Sequence, residues 1–147
     1  MRTRSYPQKM RGVTMMELVT VVAIVAILSS VAVASYRNYL LRAHRTDAST
    51  ALLRIQVAEE KFFLQNNTYT IDITDAPPAG LGVGSPTPNG FYTLVVAADP
   101  STNNIATSYL ATATATGSQT KDTACPTLTI NDQGQHGPVA TATTCWH

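Results

Sequence analysis

The sequence predicts an α+β fold in which one long N-terminal helix, half membrane-spanning and half amphipathic, packs on a small antiparallel sheet of about four strands. Three observations lead there. No Pro or Gly interrupts residues 13–65. Within that run, Tyr36 marks a change from uniformly apolar residues to an amphipathic pattern. From Phe91 onward the periodicity shortens to alternation, punctuated by turn residues. At 147 residues the chain has room for one domain.

The apolar half comes first. From Val13 to Ala34 the only ionisable side chain is Glu17, and Arg2, Arg4, Lys9 and Arg11 precede the run. Twenty-two helical residues reach ~33 Å, about the thickness of a bilayer's hydrocarbon core. A carboxylate there costs roughly 2.5–3.5 kcal/mol on insertion scales, so Glu17 needs a partner. No Lys, Arg or His lies within a turn on its C-terminal side. The nearest cations are Arg11 and the amino terminus that cleavage after Gly12 would create. The competing reading is a tolerated charge near the membrane face.

A basic leader, then Gly12-Val13-Thr14-Met15-Met16-Glu17-Leu18 and a long apolar run, resembles the class III signal of type IV pilins. Val13 stands where that family usually has Phe, and Ala26 and Ala34 stand where its helix-breaking Gly and Pro would align. The stretch from Tyr39 to Thr70, ending Phe62-Phe63-Leu64-Gln65-Asn66-Asn67-Thr68-Tyr69-Thr70, is similar to minor pilins of the PilE type. The resemblance implies a leader (residues 1–12) removed between Gly12 and Val13 by a prepilin peptidase that also N-methylates Val13. It implies a transmembrane and assembly segment (13–35), and a head (36–147) with a loop over 66–90. Glu17 would meet the terminal ammonium of a neighbouring subunit. Implied partners are fellow pilins, an inner-membrane assembly platform and, before assembly, the inner membrane itself. Pilus biogenesis, twitching motility, adhesion or DNA uptake would be the outcome. A pseudopilin of a type II secretion system uses the same signal and helix and is the nearest rival.

Charge distribution agrees with that topology. The leader holds four of the ten basic residues, and the remaining chain carries six Lys and Arg against nine Asp and Glu. Positive-inside bias leaves the leader in the cytoplasm and sends the C-terminal part across the membrane; the pilin resemblance implies that this is the bacterial inner membrane, with the C-terminal part in the periplasm and then in the extracellular pilus. A secretory signal, cleaved near Ser29-Ser30 or Ala32-Val33-Ala34, is the alternative; it would discard Glu17 and release a soluble product. The mature chain is mildly acidic, and Lys121 is the sole Lys or Arg after Lys61. No direct nucleic-acid contact is therefore expected. A fibre-displayed adhesin or DNA receptor remains a rival function.

Along the second half of the helix, Ala51, Ile55, Ala58 and Phe62 recur at helical steps, with Ala48 and Leu52 alongside. Adjacent Glu59 and Glu60 diverge and read as solvated. Asn66-Asn67 ends the helix, since Asn tolerates the left-handed conformation found there. A Pro- and Gly-rich stretch from Thr70 to Gly90 is a long loop; its Gly80, Gly82 and Gly84 lack the strand-to-helix context of a phosphate cradle. Strands are expected over 91–98, 108–116 and 127–130, a turn at 131–134, and a last strand over 138–144.

Cys125 and Cys145 sit in the translocated part, where an oxidising compartment would allow them to pair; two free thiols are the alternative. Their bridging resembles the C-terminal disulfide-bounded region of type IV pilins. His44, His136 and His147 are too few and too scattered in sequence for a tetrahedral metal set, so no metal or cofactor is expected. No nucleophile elbow or paired-acid constellation occurs, and no enzyme is expected. Trp146 reads as a packing residue at a strand end.

Overall fold

The structure, a computed structural model, describes residues 12–139 and 142–146. The basic leader positions Arg2, Arg4, Lys9 and Arg11, and also His147, lie outside the described residues. Contacts divide the chain into two units, residues 1–37 and 38–147.

Helix α1 runs Met15–Asn66 without interruption. Thr14 stands at its N-cap, where its hydroxyl accepts the Glu17 N–H at 3.2 Å and its carbonyl takes the Leu18 N–H. That hydroxyl satisfies one of the orphan donors of a helix start. At the other end Asn67 adopts φ 55°, and its N–H bonds the Phe63 carbonyl at 2.8 Å. The Asn-rich stop is thus a left-handed cap, as the sequence predicts.

Within the second unit four strands form an antiparallel meander, β1 (Tyr92–Ala98), β2 (Tyr109–Ala115), β3 (Thr127–Asn131) and β4 (His136–Gly137), in that spatial order. Register is set by pairs such as Val96 with Ala111 and Ala113 with Leu128. One face buries Tyr92, Leu94 and Val96 of β1, Tyr109, Ala111 and Ala113 of β2, and Leu128 and Ile130 of β3. Ala48, Ala51, Leu52 and Ile55 of α1 join them in a single core. The alanines of the middle strand let a helix approach closely, while the threonines between them face outward. The loop guards the outer edge of β1: the Ser85 hydroxyl accepts the Leu94 N–H, and Thr87 exchanges bonds with Tyr92. An edge covered in this way offers fewer backbone groups to a stray strand.

The turn at Asn131–Gly134 closes through the Gly134 N–H on the Asn131 carbonyl, with Gly134 at φ 71°. The last expected strand is different. Two residues, His136 and Gly137, pair with β3, and Ala142–Cys145 is a single helical turn, α2. Pro138 has no N–H to extend the ladder. The Cys125–Cys145 link, with Cα atoms 5.7 Å apart, ties that turn to the segment before β3.

Candidate assembly site

The first half of α1 has no core to bury it. Met15, Leu18, Val21, Val22, Ile24, Val25, Leu28 and Val31 are all exposed. Among the described residues α1 is the one helix long and apolar enough to cross a membrane. Two of its hydroxyls bond back to the helix, Thr20 to the Met16 carbonyl at 2.8 Å and Ser30 to the Ile27 carbonyl at 2.7 Å, so these two add little polarity to the surface. Gly12 and Val13 are exposed in non-helical backbone just ahead of the N-cap, and Glu17 projects from the first turn. Thr14-x-x-Glu17 has the spacing of a capping box, a signal in the sequence that the membrane reading passes over.

The head is held to the second half of α1 by a buried polar knot. Arg45 donates to both carboxylate oxygens of Asp122, at 2.7 and 2.8 Å, and to the carbonyl of Thr144 at 3.0 Å. The bond to Asp122 raises the Arg45 pKa further. Asp122 closes a 3-10 segment (Gly117–Lys121) in which Gln119 is fully buried. The Gln119 amide nitrogen lies within hydrogen-bonding distance of the Leu41 carbonyl, Tyr92 Oη and Asp122 Oδ2, and its oxygen meets His44 Nδ1 at 3.0 Å. His44 stacks on Phe91 at 3.7 Å. Both Cys125 and Cys145 are buried beside this knot's C-terminal end. Trp146 stacks on His136 at 3.9 Å and donates to the Gly137 carbonyl, a packing role at the end of β4.

Glu59 corrects the expectation of a solvated pair. Glu60 is exposed, but Glu59 is fully buried, one turn beyond Ile55 on the core face. Its Oε2 accepts the Thr70 N–H at 3.1 Å, pinning the start of the loop, while Oε1 has no hydrogen-bond partner among the described residues. Burial pushes its pKa up to about 7; the Thr70 N–H opposes that shift and the Glu60 charge adds to it. Nearby Tyr109 is raised as well, first by burial and then by Glu59. The Leu52, Ile55, Glu59, Phe62 spacing carries this placement in the sequence.

In the loop, Asp72 accepts the N–H groups of Thr74 and Asp75, which lowers its pKa. Gly80 lies so close to the Asp72 and Asp75 carbonyls that a Cβ would sit 2.8 Å from each. Gly80 therefore serves the loop's own folding.

The exposed apolar helix, the acid in its first turn and the helix-backed meander define the class: this is a type IV pilin. The fold is similar to the solved structure of a type IV pilin from Shewanella oneidensis, with TM-score 0.50 at 21% identity, covering 73% of this chain and 98% of that one. The chain belongs to the family described as type IV minor pilin ComP, DNA uptake sequence receptor, whose model matches residues 34–129. That match begins beyond the Gly12–Glu17 motif and so is independent of it. The chain is also 31% identical over 70 residues to the type IV major pilin protein PilA of Myxococcus xanthus (strain DK1622), covering 48% of this chain and 32% of that protein. It is 35% identical over 79 residues to prepilin peptidase-dependent protein D of Escherichia coli (strain K12), covering 54% and 51%. The chain thus matches about a third and about half of the lengths of these relatives. The family is one of structural subunits rather than enzymes.

Proposed function

We propose that this chain is a subunit, specifically a minor pilin, of a type IV pilus. Prepilin peptidase cleaves between Gly12 and Val13 and methylates the new amino terminus. Residues 13–35 hold the subunit in the inner membrane until the assembly platform extracts it. In the fibre, apolar helices bury one another, and Glu17 accepts the terminal ammonium of a neighbour. An acid left unpaired in that interior is costly, so wrong axial offsets are penalised. The observation that carries this reading is the exposed apolar half of α1, uncovered by any core of its own. Surface fibres sheared from cells should contain this chain, and Gly12→Val should leave a longer, membrane-retained precursor absent from them. Normal incorporation of Gly12→Val would contradict the reading.

A second reading follows from the family's description as a DNA uptake sequence receptor. Arg42, Arg54, Lys61 and Lys121 are exposed on the head and available to phosphates, whereas Arg45 is committed to Asp122. Binding of duplex DNA that weakens steeply with salt would support it. No retention of DNA at low salt would leave the chain a structural subunit, as the acidic balance of the mature sequence suggests.

A further inference from the structure

Two apolar surfaces of this chain lie uncovered, and their charges are complementary. One is a groove of about 530 Å³ on the head, between Leu53, Val57 and Phe62 of α1 and Pro77, Pro78 and Leu81 of the loop. Arg54 and Lys61 also line it; both are exposed, and neither forms an ion pair among the described residues. Among the described residues no acidic side chain lines the groove. The other surface is a stripe on the first half of α1, where Val21, Ile24 and Leu28 are each more than half exposed. Glu17 stands one turn before Val21 on the same face, so the stripe carries one acid and no cation.

We infer that the groove receives the Glu17–Leu28 stripe of a second copy of this chain, with Glu17 against Arg54. The inference rests on the pilus reading and names the receiving surface in the neighbour. Copies inserted through one membrane share one direction. Glu17, at the start of the stripe, then meets Arg54 near the start of the groove, and Val21 to Leu28 run alongside Val57 to Phe62. Burying the stripe removes apolar surface on both sides from solvent, and the acid arrives with a guanidinium to pair it. A carboxylate has two oxygens, so Arg54 of one neighbour and the terminal ammonium of another can share it. The basic leader would be repelled by Arg54 and Lys61 and is not the occupant. Groove and stripe are different patches, so the contact is heterologous: wherever copies of this chain adjoin it leaves a free groove and a free stripe for further subunits, where a self-complementary patch would stop at a dimer.

Cysteine cross-linking tests the contact. Cys125 and Cys145 are already bonded to each other, so introduced thiols report cleanly. In fibres from cells overproducing the full chain, oxidation of the Val21→Cys, Val57→Cys variant should give a ladder of covalent multimers of this chain. The control pair Val21→Cys, Val95→Cys, with Val95 on the exposed face of β1, should give none. Fibres without the Val57 ladder, an equal ladder in the control, or cross-links solely to a different protein would each overturn the assignment. Separately, Arg54→Glu should cut fibre yield by at least about tenfold while Arg54→Lys preserves it. An unchanged yield in Arg54→Glu would overturn the pairing. Absence of the unaltered chain from any fibre would instead overturn the pilus reading, so the two failures are distinguishable.

Discussion

Residues 15–37 and 38–66 belong to one helix, yet the first stretch leaves Val21, Ile24 and Leu28 more than half exposed and the second hides Leu52 and Ile55 completely. Each half also sets an acid on an apolar face, Glu17 in one and Glu59 in the other. Glu59 is accommodated inside the chain: it takes the Thr70 N–H and holds a proton more tightly than a free carboxyl does. Glu17 has no such shelter in the first turn, and its compensation comes, on the present account, from another molecule. The difference teaches where to look for a partner. Apolar surface matched by a sheet stabilises the head, and apolar surface left uncovered among the described residues is where, on the reading proposed above, another molecule would bind.

The contrast can be broken at Glu17 first, where the effect should be largest. Glu17→Gln should insert into membranes normally and leave the head's melting temperature unchanged, but enter fibres at least about tenfold less, the loss of one desolvated charge pair. Immunoblots of sheared fibres against whole cells measure it; equal incorporation would break the assembly side of the comparison. Arg45→Ala should act on the other side. It strands the buried Asp122 and removes the Arg45 bond to the Thr144 carbonyl, so the head should lose about 3 kcal/mol in denaturant unfolding. Replacing both Cys125 and Cys145 by Ser should cost the head a similar amount, roughly 3 kcal/mol for a loop of sequence separation 20, in the same measurement.

Glu59→Gln sharpens the comparison of the two acids. The folded head binds the Glu59 proton more tightly than the unfolded chain, whose carboxyl titrates near 4.5. The contribution of this group to stability is therefore complete below about pH 4.5, declines as pH rises through about 7, and levels off above it. At pH 8, Glu59→Gln should raise stability by roughly 2 kcal/mol and flatten the pH profile, with little change at pH 4. An unaltered pH profile in the variant would show that Glu59 is not the buried acid described above.

Much of the architecture is legible in the residues. The absence of Pro and Gly over 13–65, the Asn66-Asn67 stop and the small-and-threonine alternation of β2 correspond to α1, its left-handed cap and a half-buried middle strand. Local chemistry determines each of these. Glu59 is less legible: adjacent acids read as solvated, although the helical period from Leu52 puts the first of them on the core face. Of the last strand expected over 138–144, residues 140 and 141 lie outside the described residues, the pairing with β3 falls earlier, at His136 and Gly137, and 142–144 lie in a helical turn; the Cys125–Cys145 link and the Arg45–Thr144 bond anchor that turn through tertiary contacts no alternation pattern records. Gln119 gave no signal at all: a lone amide in a Ser- and Thr-rich stretch, it is buried by its neighbours' need for partners at Leu41, His44 and Tyr92.

The most direct measurement is the intact mass and N-terminal peptide of this protein recovered from surface fibres. The account predicts a chain beginning at Val13, carrying one methyl group on its amino nitrogen and retaining Glu17 within the apolar helix. A mature protein that begins beyond Ala34 and circulates as a soluble monomer would contradict it.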